Sequence, residues 1–163
     1  MLGRVFPDSI GPFSEEIGLK ESGSVADEQP GRRVSEMSEV RALIVDDSSV
    51  MRKIIERALR QAGLNSLIAF EAGSGNEGLD FLRAGRVDLI LSDINMPAMD
   101  GLEFVRELRV QDLAPGVPVV MITTESSEEH VKQAIHAGAQ GYIRKPFTAE
   151  QMRERVIPLI HME

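Results

Sequence analysis

No cysteine occurs anywhere in the chain. That excludes disulfides, thiolate metal sites and cysteine nucleophiles together, and it is compatible with a reducing cytoplasm. Tryptophan is absent and tyrosine occurs once, so the core must rest on aliphatic side chains. No apolar stretch approaches the roughly 20 residues that a membrane span needs. The N-terminus has no apolar signal core behind basic residues. Cations are in the minority: 18 Lys and Arg stand against 26 Asp and Glu, a formal charge of −8. A nonspecific grip on nucleic acid needs clustered Lys and Arg, so that partner class is excluded. No G-x-x-x-x-G-K-[ST] phosphate loop is present. These absences predict a soluble, cytoplasmic protein that neither enters membranes nor binds nucleic acid.

What is present is enough for one domain of common size, with 42% hydrophobic residues in 163. Residues 1–38 look unlike the rest. Pro7, Gly11-Pro12, Gly18, Gly23 and Pro30-Gly31 interrupt any periodic run, and Ser and Glu fill much of the remainder. Such a stretch buries too little apolar surface to offset its chain entropy, so a disordered extension is expected there, ahead of a domain over 39–163. Val5-Phe6 and Ile10-Gly11-Pro12-Phe13 give the extension an alternative role as a partner-binding tail. Met37, directly before the first apolar run, is an alternative start.

From Val40 onward, strands and helices alternate. Ser48 or Ser49 can cap a helix with an apolar stripe of Val50, Ile54, Ile55, Ala58 and Leu59, ending at Gly63. Leu67-Ile68-Ala69-Phe70 reads as a strand, followed by a helix from about Asn76 to Ala84. Gly101 opens a third helix with Leu102, Val105 and Leu108 inward. Ser126 or Ser127 begins a fourth that uses Val131, Ala134 and Ile135 and ends near Gly138. A last helix starts around Thr148, with Met152, Val156, Leu159 and Ile160 inward and Pro158 disturbing its end. Five strands alternating with five helices predict an α/β fold with a doubly wound parallel sheet.

The polar groups at the strand ends carry the chemistry. Arg41-Ala42-Leu43-Ile44-Val45 runs into Asp46-Asp47, and Val87-Asp88-Leu89-Ile90-Leu91-Ser92 runs into Asp93. Val117 to Ile122 runs into Thr123-Thr124, and Gly141-Tyr142-Ile143-Arg144 runs into Lys145-Pro146. In such a sheet, ligands bind beyond the carboxyl ends of the strands. Taken singly, each group has a bland reading: a helix-start acid, a strand-end threonine, a surface lysine, a packing tyrosine. Together they bring three carboxylates, a hydroxyl and an ammonium to one edge. Carboxylates a few Å apart repel by about 3 kcal/mol per pair at an effective dielectric near 20, which a cation relieves. An all-oxygen site suits Mg²⁺ or Mn²⁺. A carboxylate can also attack phosphorus to give an aspartyl phosphate, a reaction that mainly needs positioning and charge neutralisation. Pro97 and Gly101 fix the loop behind Asp93, and a cis Pro146 would aim Lys145 into the crevice.

A competing motif is Gly73-Ser74-Gly75-Asn76-Glu77-Gly78, which satisfies G-x-G-x-x-G with Asp93 twenty residues further on. It follows the second strand instead of the first, and its preceding strand contains Glu71. Nucleotide binding would also leave the strand-end groups unexplained, so flexible turn glycines are the better account. His130, His136 and His161 do not cluster and are expected to face solvent.

Val45-Asp46-Asp47-Ser48, Asp93-Ile94-Asn95-Met96-Pro97 with Gly101, Ile122-Thr123-Thr124 and Tyr142-Ile143-Arg144-Lys145-Pro146-Phe147 together resemble the receiver domain of two-component response regulators, of the CheY-like single-domain type. The resemblance covers about Val40 to Ile160. It implies a flavodoxin-like (βα)5 fold with strand order 2-1-3-4-5. It also implies that Asp93 is the phosphoacceptor, served by a histidine kinase or histidine phosphotransfer protein. Asp47 and Asp93 would hold Mg²⁺ directly, Asp46 through water, and Asn95 through its backbone carbonyl. Thr123 and Lys145 would hold the phosphoryl oxygens, and Thr123 with Tyr142 would form the switch. The implied output surface is the fourth helix, fifth strand and fifth helix. Only one helix follows Phe147, so output is expected to be a protein contact by a monomer, such as a flagellar motor switch in chemotaxis. A phosphorelay intermediate or a phosphate sink is the alternative. A haloacid-dehalogenase-like phosphatase is the rival of another class. It would need a second Asp where this chain has Asn95.

Overall fold

Each expected apolar run forms a strand in the computed structural model, which describes residues 39–124 and 127–160. The strands are β1 (Glu39–Val45), β2 (Ser66–Ala72), β3 (Leu89–Ser92), β4 (Val119–Thr123) and β5 (Gly141–Arg144). The helices are α1 (Ser49–Gln61), α2 (Gly75–Ala84), α3 (Gly101–Val110), α4 (Glu128–Ala137) and α5 (Ala149–Ile160). All strand pairings are parallel and the order is β2-β1-β3-β4-β5, as the resemblance implied. The expected tail with Met37, the alternative cap Ser126 and His161 lie outside the described residues.

The helix starts follow from short polar side chains. Ser48, Ser74, Asp100 and Ser127 each accept a hydrogen bond from the backbone N–H three residues on. Thr148 makes a reciprocal box: its hydroxyl accepts from Gln151 N–H, and its own N–H donates to the Gln151 side chain. Gly63 and Gly138 take positive φ just beyond α1 and α4, where a side chain would be strained. Pro158 lies inside α5, which nevertheless continues to Ile160.

Alternation along β1 sends its side chains to two cores. Leu43 and Val45 join Leu79, Phe104, Val105 and Leu108 on one face of the sheet. Ala42 and Ile44 join Ile55, Leu59, Met152 and Val156 on the other. Burying one such Leu or Ile contributes about 1.5–3 kcal/mol before entropy, so the sheet is a rigid platform for whatever stands at its edge.

Three expected inward residues point outward: Val50 is 67% exposed, Ile54 45% and Ile135 62%. The buried residues of α1 are Ile55, Ala58 and Leu59. Val50 and Ile54 form the neighbouring i, i+4 row, which the turn of the helix carries round to solvent. Ile135 is displaced in the same way from Ala134. The glycine motif also differs from expectation. Gly75 and Gly78 are buried inside α2, not turn residues. A Cβ at Gly75 would stand 2.7 Å from the Met99 sulfur, and one at Gly78 would stand 2.9 Å from the Phe104 ring. They are small so that α2 can pack closely. His136 is exposed, whereas His130 is half-buried, with its ring nitrogen 2.6 Å from the Ser127 hydroxyl.

Candidate functional site

The sheet ladder runs one residue past several strands, and this is what places the site. Asp46 N–H donates to Ala72 O at 3.1 Å, Asp93 N–H to Val45 O at 2.9 Å, and Lys145 N–H to Thr123 O at 2.8 Å. The backbones of all three polar residues are therefore fixed to neighbouring strands. Thr123 is the last residue of β4 and is fully buried.

The side chains then converge. Asp46 is 1% exposed and Asp93 6%. Lys145 Nζ lies 3.1 Å from Asp46 Oδ2 and 3.5 Å from Asp93 Oδ2. Asp46, Asp47 and Asp93 each offer a carboxylate oxygen, and these oxygens lie within 4.8 Å of one another. Asp47 is exposed, so the cluster opens to solvent on that side. Oxygen donors without thiol or imidazole suit a hard divalent cation. The sequence-predicted carboxylates and the lysine are thus one cluster.

Asp93 is held by the loop that follows it. Its Oδ1 accepts from Ile94 N–H at 2.8 Å and, more weakly, from Asn95 N–H at 3.4 Å. Burial pushes its carboxyl above the ordinary range, and nearby Asp46 adds to this. The Lys145 ammonium and the Asn95 and Ile94 N–H groups pull the other way. The net direction is upward, the mark of a carboxylate whose loss of water outweighs its partners.

The loop after Asp93 is closed on itself. Gly101 N–H donates to Ile94 O at 2.8 Å, and Met99 N–H to Pro97 O at 2.8 Å. A Cβ at Gly101 would drive into the Asp93 carbonyl oxygen, so only glycine lets α3 begin so close behind the loop. Asn95 is exposed at the loop start. The Lys145–Pro146 peptide is cis. Tyr142 is half-buried, paired in register with Met121 of β4 and packed against the core on that face. Ser92 was not singled out from sequence. Its hydroxyl, buried beside the cluster, donates to Asp93 O at 2.9 Å, and no sequence pattern marks a bond of that kind.

Comparison with known proteins agrees with this arrangement. The family described as the response regulator receiver domain matches residues 42–157. The chain is 38% identical over 117 residues to chemotaxis protein CheY of Pseudomonas aeruginosa, covering 72% of this chain and 93% of that protein. It is 39% identical over 117 residues to chemotaxis protein CheY-3 of Vibrio cholerae, covering 72% and 88%. Among solved structures it is similar to Vibrio cholerae CheY4, with a TM-score of 0.64 and 36% identity over 71% of this chain and 94% of that one. The receiver domain of Francisella response regulator 1452 superposes with a TM-score of 0.66 at 26% identity, covering 74% and 96%. With its strand order, its acidic cluster and its bridging lysine, the chain belongs to the CheY-like response regulator receiver domains.

Proposed function

We propose that the protein accepts a phosphoryl group on Asp93 from the phosphohistidine of a histidine kinase or histidine phosphotransfer protein. Mg²⁺, or Mn²⁺, would be held by the carboxylates of Asp47 and Asp93 and the backbone carbonyl of Asn95, and Asp46 would act through water. When bound, the ion neutralises phosphoryl oxygens and the surplus carboxylate charge. The observation that carries this reading is the Lys145 ammonium set between Asp46 and Asp93 beside a three-carboxylate cluster.

An Asp93 carboxylate oxygen attacks phosphorus while the phosphorus–nitrogen bond to the donor imidazole breaks. The bonding pair stays on the imidazole nitrogen, which then takes a proton. Lys145 and the Thr123 hydroxyl receive the phosphoryl oxygens. The new charge at Asp93 draws on Thr123, and Tyr142, on the adjacent strand, passes the change to the face of α4, β5 and α5. A cavity of about 450 Å³ on that face, lined by Val131, Tyr142, Pro146, Gln151 and Arg155 among others, is a docking place for the downstream protein. The chemotaxis names of the relatives favour a flagellar motor switch as that target. In this reading the protein is a cytoplasmic monomer and a signalling protein that assists its own phosphorylation and dephosphorylation.

The test is transfer of labelled phosphate from a phosphohistidine donor in the presence of Mg²⁺. Wild type becomes labelled, whereas Asp93→Asn stays at background with an unchanged circular dichroism spectrum. Labelling of Asp93→Asn at the wild-type level overturns the assignment.

A further inference from the structure

A guanidinium stands directly behind the acidic pair. Arg52, in the first turn of α1, donates from Nη1 to the backbone carbonyl of Asp46 at 2.6 Å and from Nε to Glu71 Oε1 at 2.8 Å. Glu71 lies on β2, and its other carboxylate oxygen accepts from Lys53 Nζ at 2.6 Å. Gly73 lies alongside the guanidinium: a Cβ there would stand in van der Waals contact with Arg52 Nη1 at 3.4 Å. The Arg52 side chain is only 16% exposed, so this fork is packed in place and does not wave in solvent.

The importance of the contact lies in what the Asp46 carbonyl controls. Asp46 is already tied by its N–H to Ala72 O, and its carboxylate accepts from Ser48 N–H and Lys145 Nζ. The carbonyl belongs to the same peptide plane as the N–H of Asp47. Holding that oxygen therefore sets the tilt of the plane from which the Asp47 Cα–Cβ bond departs, leaving only φ to complete its direction. Asp47 is the exposed member of the three carboxylates, so the sheet does not orient it by burial. From these contacts we infer that Arg52, braced by Glu71, is a positioning residue for the Asp46-Asp47 pair and is required for its full affinity for a divalent cation.

This inference rests on the reading of the acidic cluster as a Mg²⁺ site. Position and charge act with opposite signs here. As a bare cation near the cluster, Arg52 repels a metal ion, so removing it would tighten binding. As a clamp on the peptide plane, it preorganises Asp47, so removing it weakens binding. Lysine keeps the charge but cannot present two fixed donors in a planar fork.

The experiment is a calorimetric Mg²⁺ titration of the full chain for wild type, Asp47→Ala, Arg52→Met and Arg52→Lys, with circular dichroism and melting curves on each. Wild type binds and Asp47→Ala loses affinity. Both Arg52 variants bind about tenfold more weakly, the low end of the effect of outer partners of metal ligands. The weakening in Arg52→Lys, which keeps the charge and is the milder change to the fold, is the decisive result. Tighter binding by Arg52→Met with Arg52→Lys unchanged means that the guanidinium acts by charge alone, and it overturns the inference. Unchanged affinity in both variants overturns it too. If wild type itself takes up no Mg²⁺, the metal reading falls first and this inference falls with it.

Discussion

The two ends of the sheet handle charge in opposite ways. At the amino end, Arg41 N–H donates to Asp88 Oδ2 at 2.9 Å and Arg41 Nε donates to Arg86 O at 2.9 Å. Asp88 N–H returns a bond to Arg41 O at 2.7 Å. The Asp88 side chain is exposed, and the Arg41 guanidinium lies 4.8 Å over the Phe70 ring. Arg41 and Asp88 answer each other locally with access to water. At the carboxyl end, Asp46 and Asp93 are buried and share one ammonium, with Asp47 beside them. The first arrangement is what stability alone would choose. The second leaves negative charge in surplus, and that surplus is what a divalent cation can exploit.

The largest way to break the contrast is to remove the shared ammonium. Lys145→Met leaves two buried carboxylates uncompensated and costs about 3 kcal/mol in urea unfolding at neutral pH without Mg²⁺. Saturating Mg²⁺ recovers part of that loss, and a cost that ignores Mg²⁺ would place the metal elsewhere.

Removing the surplus should act in the other direction. Asp93→Asn raises stability in chelator by on the order of 1 kcal/mol, because it removes a buried carboxylate whose desolvation outweighs the attraction of Lys145. Folding raises the pKa of Asp93. The native state therefore holds more protons than the unfolded chain between the ordinary and the raised value, and the contribution of this group to stability falls as pH climbs through that window. The advantage of Asp93→Asn is accordingly full above the raised pKa and disappears below the ordinary carboxylate range. Melting curves across pH 3–8 check this, and a gain that grows on acidification would contradict it.

The smallest effect belongs to the amino end. Asp88→Ala removes an acceptor that solvent can partly replace, so it costs about 1 kcal/mol or less. Mg²⁺ affinity should not change, and a shift in the metal titration would mean that the two ends are not independent.

Much of the layout was legible because strands and caps are local. The apolar runs ending at Val45, Ser92 and Arg144, and caps such as Ser48 and Thr148, lie in contiguous residues. The clustering of Asp46, Asp93 and Lys145 was legible too, since parallel strands deliver their ends to one edge. What escaped depends on contacts across the chain. Val50, Ile54 and Ile135 fit an apolar period, but which row of a helix meets the sheet is decided by its neighbours. Gly75 and Gly78 read as a turn because nothing nearby in sequence announces Met99 and Phe104. Arg52 and Ser92 bind backbone carbonyls, and any residue type supplies a carbonyl, so no pattern marks the acceptor.

Gly101 has a practical consequence for engineering. The start of α3 lies so close behind the Asp93 carbonyl that position 101 has no room for a side chain. A helix grafted here from another protein must therefore bring glycine as its first residue, whatever side chain stands at position 93.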